Sequence, residues 1–207
     1  LPGIATLGLL AAAYALIFGL VGRINLAFGE IAAVGAAATT SGAVLLSALG
    51  VADPLAGLGI GLVLALFAAG LHGLVGGRIA LAGVRGGQAA LIATVGLSLA
   101  VMEYLRIVRG PVEIWLPPVL NETWPLARAG AFIVTVTPVA LATGLVGLLA
   151  AAGLLRLMAA SRFGRDWRAY ADDPGAAAMV GVDGGRLLNR TLALASAVAG
   201  LAGFLVV

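Results

Sequence analysis

Several residue types are missing from this chain of 207 residues, and each absence excludes a class of site. There is no Cys, which excludes a disulfide, a thiolate nucleophile and a Cys-based metal site. There is no Lys, so the chain has no Walker A motif, whose Lys reaches the phosphates of a bound nucleotide. The single His, His72, excludes a HExxH zinc site. We interpret His72 as a hydrogen-bonded polar residue and not as a catalytic base.

Charged residues are also scarce, at 10% of the chain, and they are bunched so that long uncharged stretches remain. These stretches are 1–22, 31–52, 54–77, 86–102, 129–155 and 191–207. A helix needs about 20 apolar residues to cross the hydrocarbon core of a bilayer, where the backbone must satisfy its own hydrogen bonds. With 62% hydrophobic residues and a mean hydropathy of +1.13, the sequence predicts an all-α, polytopic transmembrane helix bundle.

The predicted bundle has about six spans and forms one transmembrane domain over residues 1–207. The spans are predicted at about 3–22, 26–48, 54–76, 88–106, 131–155 and 187–207. Pro54 fits the start of the third helix, whereas Pro138 lies inside the fifth and is expected to kink it. Because the sequence stops within an apolar run, we expect the domain to be truncated at its C-terminus.

The Arg residues predict which side of the membrane each loop occupies. Loops on one side hold nine Arg, and loops on the other side hold Arg106, Arg109 and Arg128. Cytoplasmic loops carry the excess of basic residues, so the side with nine Arg is predicted to face the cytoplasm. The segment 107–130 is then external, and its Trp115 and Trp124 suit a loop on the membrane surface. We interpret the net charge of +3 as loop charge and not as affinity for nucleic acid.

The polar turn between the first two spans is the first functional candidate. Asn25 and Glu30 enter the start of the second span, and a carboxylate at membrane depth usually faces the bundle interior or a watery path. Gly22 and Gly29 would ease a break in the helix there. We therefore take Asn25 and Glu30 as candidates for a translocation path. The alternative is a tight loop in which Glu30 pairs with Arg23.

Two hydroxyl residues in the fourth span are the second candidate. Thr94 and Ser98 lie four residues apart and therefore share one helix face. They are further candidates for lining a translocation path. The alternative is that both hydroxyls bond back to carbonyls of their own helix.

A short helix is predicted in the long loop of about 160–187. Asp173 is a good N-cap, Pro174 fits the first helical position and Gly181 fits the C-terminal stop. A helix of about two turns is not stable alone, so it needs a surface against which to dock. Its Ala, Met and Val face either fits a groove on a soluble partner or lies on lipid.

Three segments, in this order, resemble the permeases of bacterial branched-chain amino acid ABC transporters. Residues 24–30 resemble the family's "INFAHGE"-type motif, 89–98 its fourth-span pattern, and 163–183 its "GRALRAVAEDPEAARLLGI" cytoplasmic loop. The sequence departs from the family pattern at a few positions. Phe28 stands where the family often has His, Arg23 where an apolar residue is common, and Glu103 where an amide is usual.

The resemblance implies a transport subunit, not an enzyme, that needs no cofactor of its own. It implies the permease of an importer in the bacterial inner (plasma) membrane that moves branched-chain or similar small amino acids into the cytoplasm. The implied partners are cytoplasmic ABC ATPase subunits, a second permease subunit, a periplasmic substrate-binding protein and the lipid bilayer. The residues implied to couple to the ATPase are Asp172, Asp173, Pro174, Ala176, Ala177 and Gly181.

Two alternatives to this importer remain open at the level of sequence. A permease for urea or amides of the same family would look the same. An ATP-independent channel or secondary transporter would need ion-coupling carboxylates in mid-membrane, for which Glu30 is the one candidate.

Overall fold

The structure, a computed structural model, describes residues 2–51, 53–82, 84, 86–110, 122–129 and 132–207. Within these ranges the α-helices are α1 (Pro2–Val21), α2 (Phe28–Ala48), α3 (Pro54–Gly77), α4 (Gly87–Arg109), α5 (Pro138–Ala160), α6 (Arg162–Asp172), α7 (Pro174–Met179) and α8 (Gly184–Phe204). A π-helical segment, Arg78–Ala82, directly follows α3. Strands β1 (Trp124–Ala129) and β2 (Phe132–Val136) lie between α4 and α5.

The predicted spans are confirmed by six helices that are long enough and apolar enough to cross a membrane. They are α1, α2, α3, α4, α5 and α8. We call one end of the bundle the basic end, because it holds Arg23, Arg78 and the Arg residues of segment 156–190. The opposite end holds the α2–α3 connection and the β1–β2 hairpin.

Helices α2, α3 and α8 form the centre of the bundle, because glycines let their backbones approach closely. A Cβ on Gly35 of α2 would lie 2.5 Å from the Cα of Gly200 on α8. A Cβ on Gly42 of α2 would lie 3.0 Å from the Cα of Gly61 on α3. Lipid supplies no hydrophobic drive between helices, so close backbone packing of small residues holds them together. The Gly-rich composition thus determines which helices are central.

Helices α4 and α5 lie outside this centre. Helix α4 packs mainly on α2 and the π-helical segment, and α5 packs mainly on α1 and α6. Their exposed faces are apolar, with Ile92, Leu99 and Met102 on α4 and Leu145, Leu148 and Leu149 on α5. Side chains of this kind suit contact with lipid chains.

The predicted kink at Pro138 is wrong, because α5 begins at this residue. Thr137 is the N-cap, with φ of −96° and ψ of 145°, and its Oγ1 accepts a hydrogen bond from the N–H of Ala140 at 3.3 Å. Pro suits the first helical position, since its missing N–H would have no partner there. The fifth span therefore starts at 138 and not at 131.

Residues 132–136, predicted as helix, form β2 instead. This strand pairs antiparallel with β1, and the register shifts between Pro125 and Ala127. A Pro cannot donate to the ladder, which accounts for an irregularity at that point. Of the predicted surface loop, Trp124 is exposed at the start of β1. Trp115 lies outside the described residues. So does Arg85, one of the nine Arg that were predicted to face the cytoplasm.

The central glycine contacts yield a test of packing. Replacement Gly200→Ala places a Cβ 2.6 Å from the carbonyl oxygen of Ala65, so α3 and α8 must separate. We expect a loss of about 1–3 kcal/mol, as for other overpacked cores. The control Gly96→Ala adds its Cβ in open space on α4. It should be neutral or stabilising by up to about 1 kcal/mol. Thermal unfolding in detergent measures both, and equal melting temperatures would contradict the packing argument.

Candidate translocation seam and coupling helix

A line of four polar residues joins α2 to α4, and we call it the polar seam: Glu30, Thr40, Ser98 and Arg109. The Ser98 hydroxyl donates to Oε1 of Glu30 at 3.3 Å. The Arg109 guanidinium donates through Nη2 to Oγ1 of Thr40 at 2.8 Å. Glu30 and Thr40 are about 15 Å apart along α2, from the rise of 1.5 Å per residue. The two contacts therefore tie α2 and α4 together at two depths.

On α4, the side chains buried along the seam recur about once per helical turn. Thr94 is fully buried one turn before Ser98, and Val101 is buried in the next turn. The Thr94 hydroxyl donates to the carbonyl of Leu91 at 3.1 Å, so the predicted alternative of back-bonding is confirmed for Thr94. That alternative is wrong for Ser98, whose hydroxyl reaches Glu30 on the other helix.

Asn25 shapes the turn between α1 and α2. It is 6% exposed, and its Oδ1 accepts from the N–H of Ala27 at 3.1 Å. Its own N–H donates to the Tyr14 hydroxyl at 3.3 Å. The side-chain oxygen of Asn25 is thus engaged in the turn.

The alternative in which Glu30 pairs with Arg23 is wrong. Arg23 donates through Nη1 to the carbonyls of Leu81, at 3.4 Å, and Val84. These carbonyls lie at the end of the π-helical segment, where the backbone lacks helical partners. Arg23 therefore ties the α1–α2 turn to the α3–α4 connection, and Glu30 is left to pair with Ser98.

His72 is engaged in a local contact. Its Nδ1 lies 2.8 Å from the carbonyl oxygen of Ala68, one turn earlier on α3, and its ring packs against Tyr104. This confirms its interpretation as a hydrogen-bonded polar residue. Among the residues described, no three His, Asp or Glu side chains are grouped in a way that could hold a metal ion.

The short helix predicted around Asp173 is confirmed as α7. Asp173 has extended backbone angles, and its Oδ1 accepts from the N–H groups of Gly175 at 2.8 Å and Ala176 at 3.0 Å. Pro174 occupies the first helical position. Gly181 has φ of +89°, the left-handed conformation that ends a helix. Each end signal in the sequence therefore has the predicted structural role.

The sequence predicted one exposed face of α7 with Ala, Met and Val, and this prediction is wrong for Ala177. Ala177 is only 3% exposed, whereas Met179 and Val180 are 89% and 79% exposed. Ala177 therefore packs inward as α7 docks on α6. We call Met179 and Val180 the apolar tip of α7. Asp172 and Ala176 are also exposed beside it.

Helix α6 was not predicted, although it connects α7 to the bundle. Ser161 caps its start by accepting from the N–H of Gly164 at 3.0 Å. Trp167 donates through Nε1 to the carbonyl of Leu16 on α1 at 3.1 Å. Gly19 makes room for the indole, since a Cβ there would lie 2.6 Å from the ring. Aromatic residues spaced three and four apart, Phe163, Trp167 and Tyr170, were the signal in the sequence.

Asp183 caps the start of α8 at the basic end. It accepts from the backbone N–H of Arg186 at 2.9 Å and from its guanidinium at 2.6 Å. The backbone hydrogen bond, followed by the side-chain one, lowers the pKa of Asp183. A lowered pKa means that this stabilisation is present at neutral pH and is lost only in acid. The α8 cap is therefore fully charged under physiological conditions.

Comparison with known sequences places this geometry among transport proteins. Residues 3–207 match the family described as branched-chain amino acid transport system / permease component. The chain is 28% identical over 203 residues to the high-affinity branched-chain amino acid transport system permease protein LivH of Escherichia coli, and equally to LivH of Salmonella typhimurium. It is 26% identical over 209 residues to the corresponding protein BraD of Pseudomonas aeruginosa.

Each of these alignments covers 97% of this chain and 66% of the relative. The chain therefore spans just under two thirds of the length of the curated relatives. No solved structure matches it significantly.

The cap of α7 yields a test of its stability. Asp173→Ala removes the acceptor for two N–H groups and should cost about 1 kcal/mol. Amide hydrogen exchange in residues 175–179 should then be about fivefold faster. Asp173→Asn should preserve protection, because Asn caps equally well. Asp172→Ala, one residue away and outside the cap, is the control. Unchanged exchange in Asp173→Ala would show that the cap does not hold α7.

Proposed function

Because the chain belongs to the permease-component family of branched-chain amino acid transport systems, we propose that it is the permease subunit of an ABC importer. The importer moves branched-chain amino acids across the bacterial inner membrane into the cytoplasm, as the names of the relatives suggest. Six apolar helices make the chain a multi-pass membrane protein. Since it has no Lys for a Walker A motif, ATP is hydrolysed by separate ATPase subunits.

The apolar tip of α7 is the observation that carries this proposal. A six-residue helix is too short to persist alone, yet α7 is capped by Asp173 and held by the inward packing of Ala177. The helix thereby presents Met179 and Val180 to solvent. Methionine adapts its shape to a partner's groove. We take an ATPase subunit as that partner, with the basic end of the bundle facing the cytoplasm.

Movement of the ATPase would reach the membrane through α6. The two helices share Asp173, which ends α6 and caps α7. Trp167 joins α6 to Leu16 of α1, and Tyr170 packs so closely on α8 that a Cβ on Gly184 would lie 2.5 Å from its ring. A displacement of α7 would therefore move the ends of α1 and α8.

The translocation path would follow the polar seam. Glu30 and Ser98 are half-buried and bond to each other across two helices, so their polar groups could exchange this contact for one with a passing substrate. Thr94 and Asn25 support the seam and the turn through local hydrogen bonds. A second permease subunit would supply the facing wall, and a periplasmic binding protein would deliver the amino acid.

The apolar tip gives a direct test of coupling. The double replacement Met179→Glu with Val180→Glu places charges on the proposed contact and should abolish co-purification of the ATPase and ATP-driven leucine uptake. Replacing exposed Ala169 of α6 with Glu adds a charge nearby and should leave both intact. Ala177→Glu is unsuitable, because this buried residue would disturb the docking of α7 itself.

Two outcomes would contradict the coupling role. One is normal ATPase association in the double variant, measured in a full-length chain that inserts normally. The other is uptake that a proton gradient drives in proteoliposomes without any ATPase, which would favour a secondary transporter.

The path along the seam has its own test. Ser98→Trp places a large ring between α2 and α4 and should reduce uptake at least tenfold, with ATPase association unchanged. Leu99→Trp puts the same ring one residue further on, where the side chain is 56% exposed on the lipid side. This control should transport nearly normally. Equal uptake by the two variants would exclude the seam as the path.

A further inference from the structure

The two basic residues in the last turn of α4 have different environments. Arg106 pairs with Glu103, and its side chain is 72% exposed. Arg109 turns onto α2, where its Nη2 donates to Thr40 at 2.8 Å. Its Nε is buried and has no hydrogen-bond acceptor within the described part of the chain. The guanidinium of Arg109 is therefore directed into the protein with part of its donor capacity unused.

Thr40 shows that this position belongs to the bundle interior. It is 2% exposed, and its hydroxyl donates to the carbonyl of Ala37 at 2.9 Å, which leaves its oxygen to accept from Arg109. The neighbours of Arg109 on α4, Ile107 and Val108, are exposed and face the other way. Arg109 is thus on the side of α4 that faces α2 and not on its lipid side.

No carboxylate pairs with Arg109 in the ranges that the structure describes. An ionisable group at such a position, with no counter-ion among the described residues, is a functional-site hypothesis by default. The guanidinium fork matches a carboxylate through two parallel N–H···O bonds, and burial strengthens such charge-assisted bonds. The unused donor of Arg109 therefore suits a small anion that reaches the end of α4 beside α2.

We propose that Arg109 and Thr40 form a binding site for the substrate carboxylate at the outer level of the polar seam. This inference rests on the proposed function, because an amino acid is the substrate that brings a carboxylate. Arg109 would hold that group, with Thr40 fixing the plane of the guanidinium. Glu30 lies about 15 Å further in along α2, so the two charged residues would act at successive depths.

A cysteine probe can test this site in the assembled transporter. These 207 residues hold no native Cys, so Leu105→Cys introduces the only thiol among them. Leu105 is half-buried and lies one turn before Arg109 on the same face of α4. In proteoliposomes, the thiol is treated with a sulfonate-bearing or an ammonium-bearing thiosulfonate reagent. The ratio of the two labelling rates then reports the local charge.

Arg109→Gln removes one unit charge about 6 Å from the thiol, from the rise of four helical residues. With the screening of water, this should lower the ratio of the anionic to the cationic labelling rate about tenfold. The matched control is the double replacement Glu103→Gln with Arg106→Gln, which removes an exposed and already neutralised pair and should change the ratio much less. Leucine should protect the thiol from labelling, and leucinamide, which lacks the carboxylate, should not. Arg109→Lys should retain the rate ratio but weaken protection by leucine, since Lys lacks the planar fork.

Four results would overturn the proposal. They are equal protection by leucine and leucinamide, an unchanged rate ratio in Arg109→Gln, no protection by leucine in a transporter with normal uptake, and protection that depends on phosphatidylglycerol in the vesicles. The last result would assign Arg109 to a lipid headgroup. Loss of protection with normal ATP-driven leucine uptake would reject this site alone. Absence of uptake in the unmodified transporter, with protection intact, would reject the proposed function alone.

Discussion

The close approach of three helix backbones is the constraint on which the rest of the structure depends. Lipid chains are as apolar as the helix surfaces, so burial of apolar area cannot by itself hold one membrane helix to another. Contacts such as Gly35 to Gly200 and Gly42 to Gly61 bring α2, α3 and α8 within backbone distance of each other. Even one methyl group at these positions would need a shift of main chain. These three helices are therefore the rigid part of the chain, and the remaining helices are arranged around them.

Helix α4 is attached to this rigid part in a different way. Its contacts with α2 are hydrogen bonds between side chains, Ser98 to Glu30 and Arg109 to Thr40, and not interlocked glycines. Glu30, Ser98 and Arg109 are only half-buried, so their polar groups can find water or other partners when the helices separate. In the proposed importer, a substrate with its own charged and polar groups would replace these bonds. Hydrogen bonds between side chains therefore suit the boundary between α2 and α4 if it opens and closes during transport. Close glycine contacts suit the boundaries among α2, α3 and α8, which would stay together.

The sequence predicted most of the fold, because the relevant signals are local. Long uncharged stretches locate the spans, and the Asp173, Pro174 and Gly181 signals locate α7 almost to the residue. The kink predicted at Pro138 was wrong because the prediction considered only its place within an apolar stretch. Thr137, the residue before it, caps the start of α5. The site was predicted only in part. Asn25, Glu30, Thr94 and Ser98 could be chosen as polar residues at membrane depth, but their partners depend on which helices are neighbours. Thr40 and Arg109 were missed for this reason, since they are 69 positions apart and only the packing of α4 on α2 joins them.

The same arrangement explains how the short helix α7, at the basic end of the bundle, would act on a distant seam in the proposed importer. Helix α7 is attached through α6 to the end of α1 by Trp167, and through Tyr170 to the start of α8. Helix α8 is locked to α2 and α3 by glycines, so a push on α7 would move these central helices as one body. Helix α4 is tied to that body by the π-helical segment and the polar seam. A π-helical turn is a frequent site of local rearrangement. In the proposed importer, movement of the centre would therefore be taken up between α2 and α4, where a substrate would replace the hydrogen bonds of the polar seam.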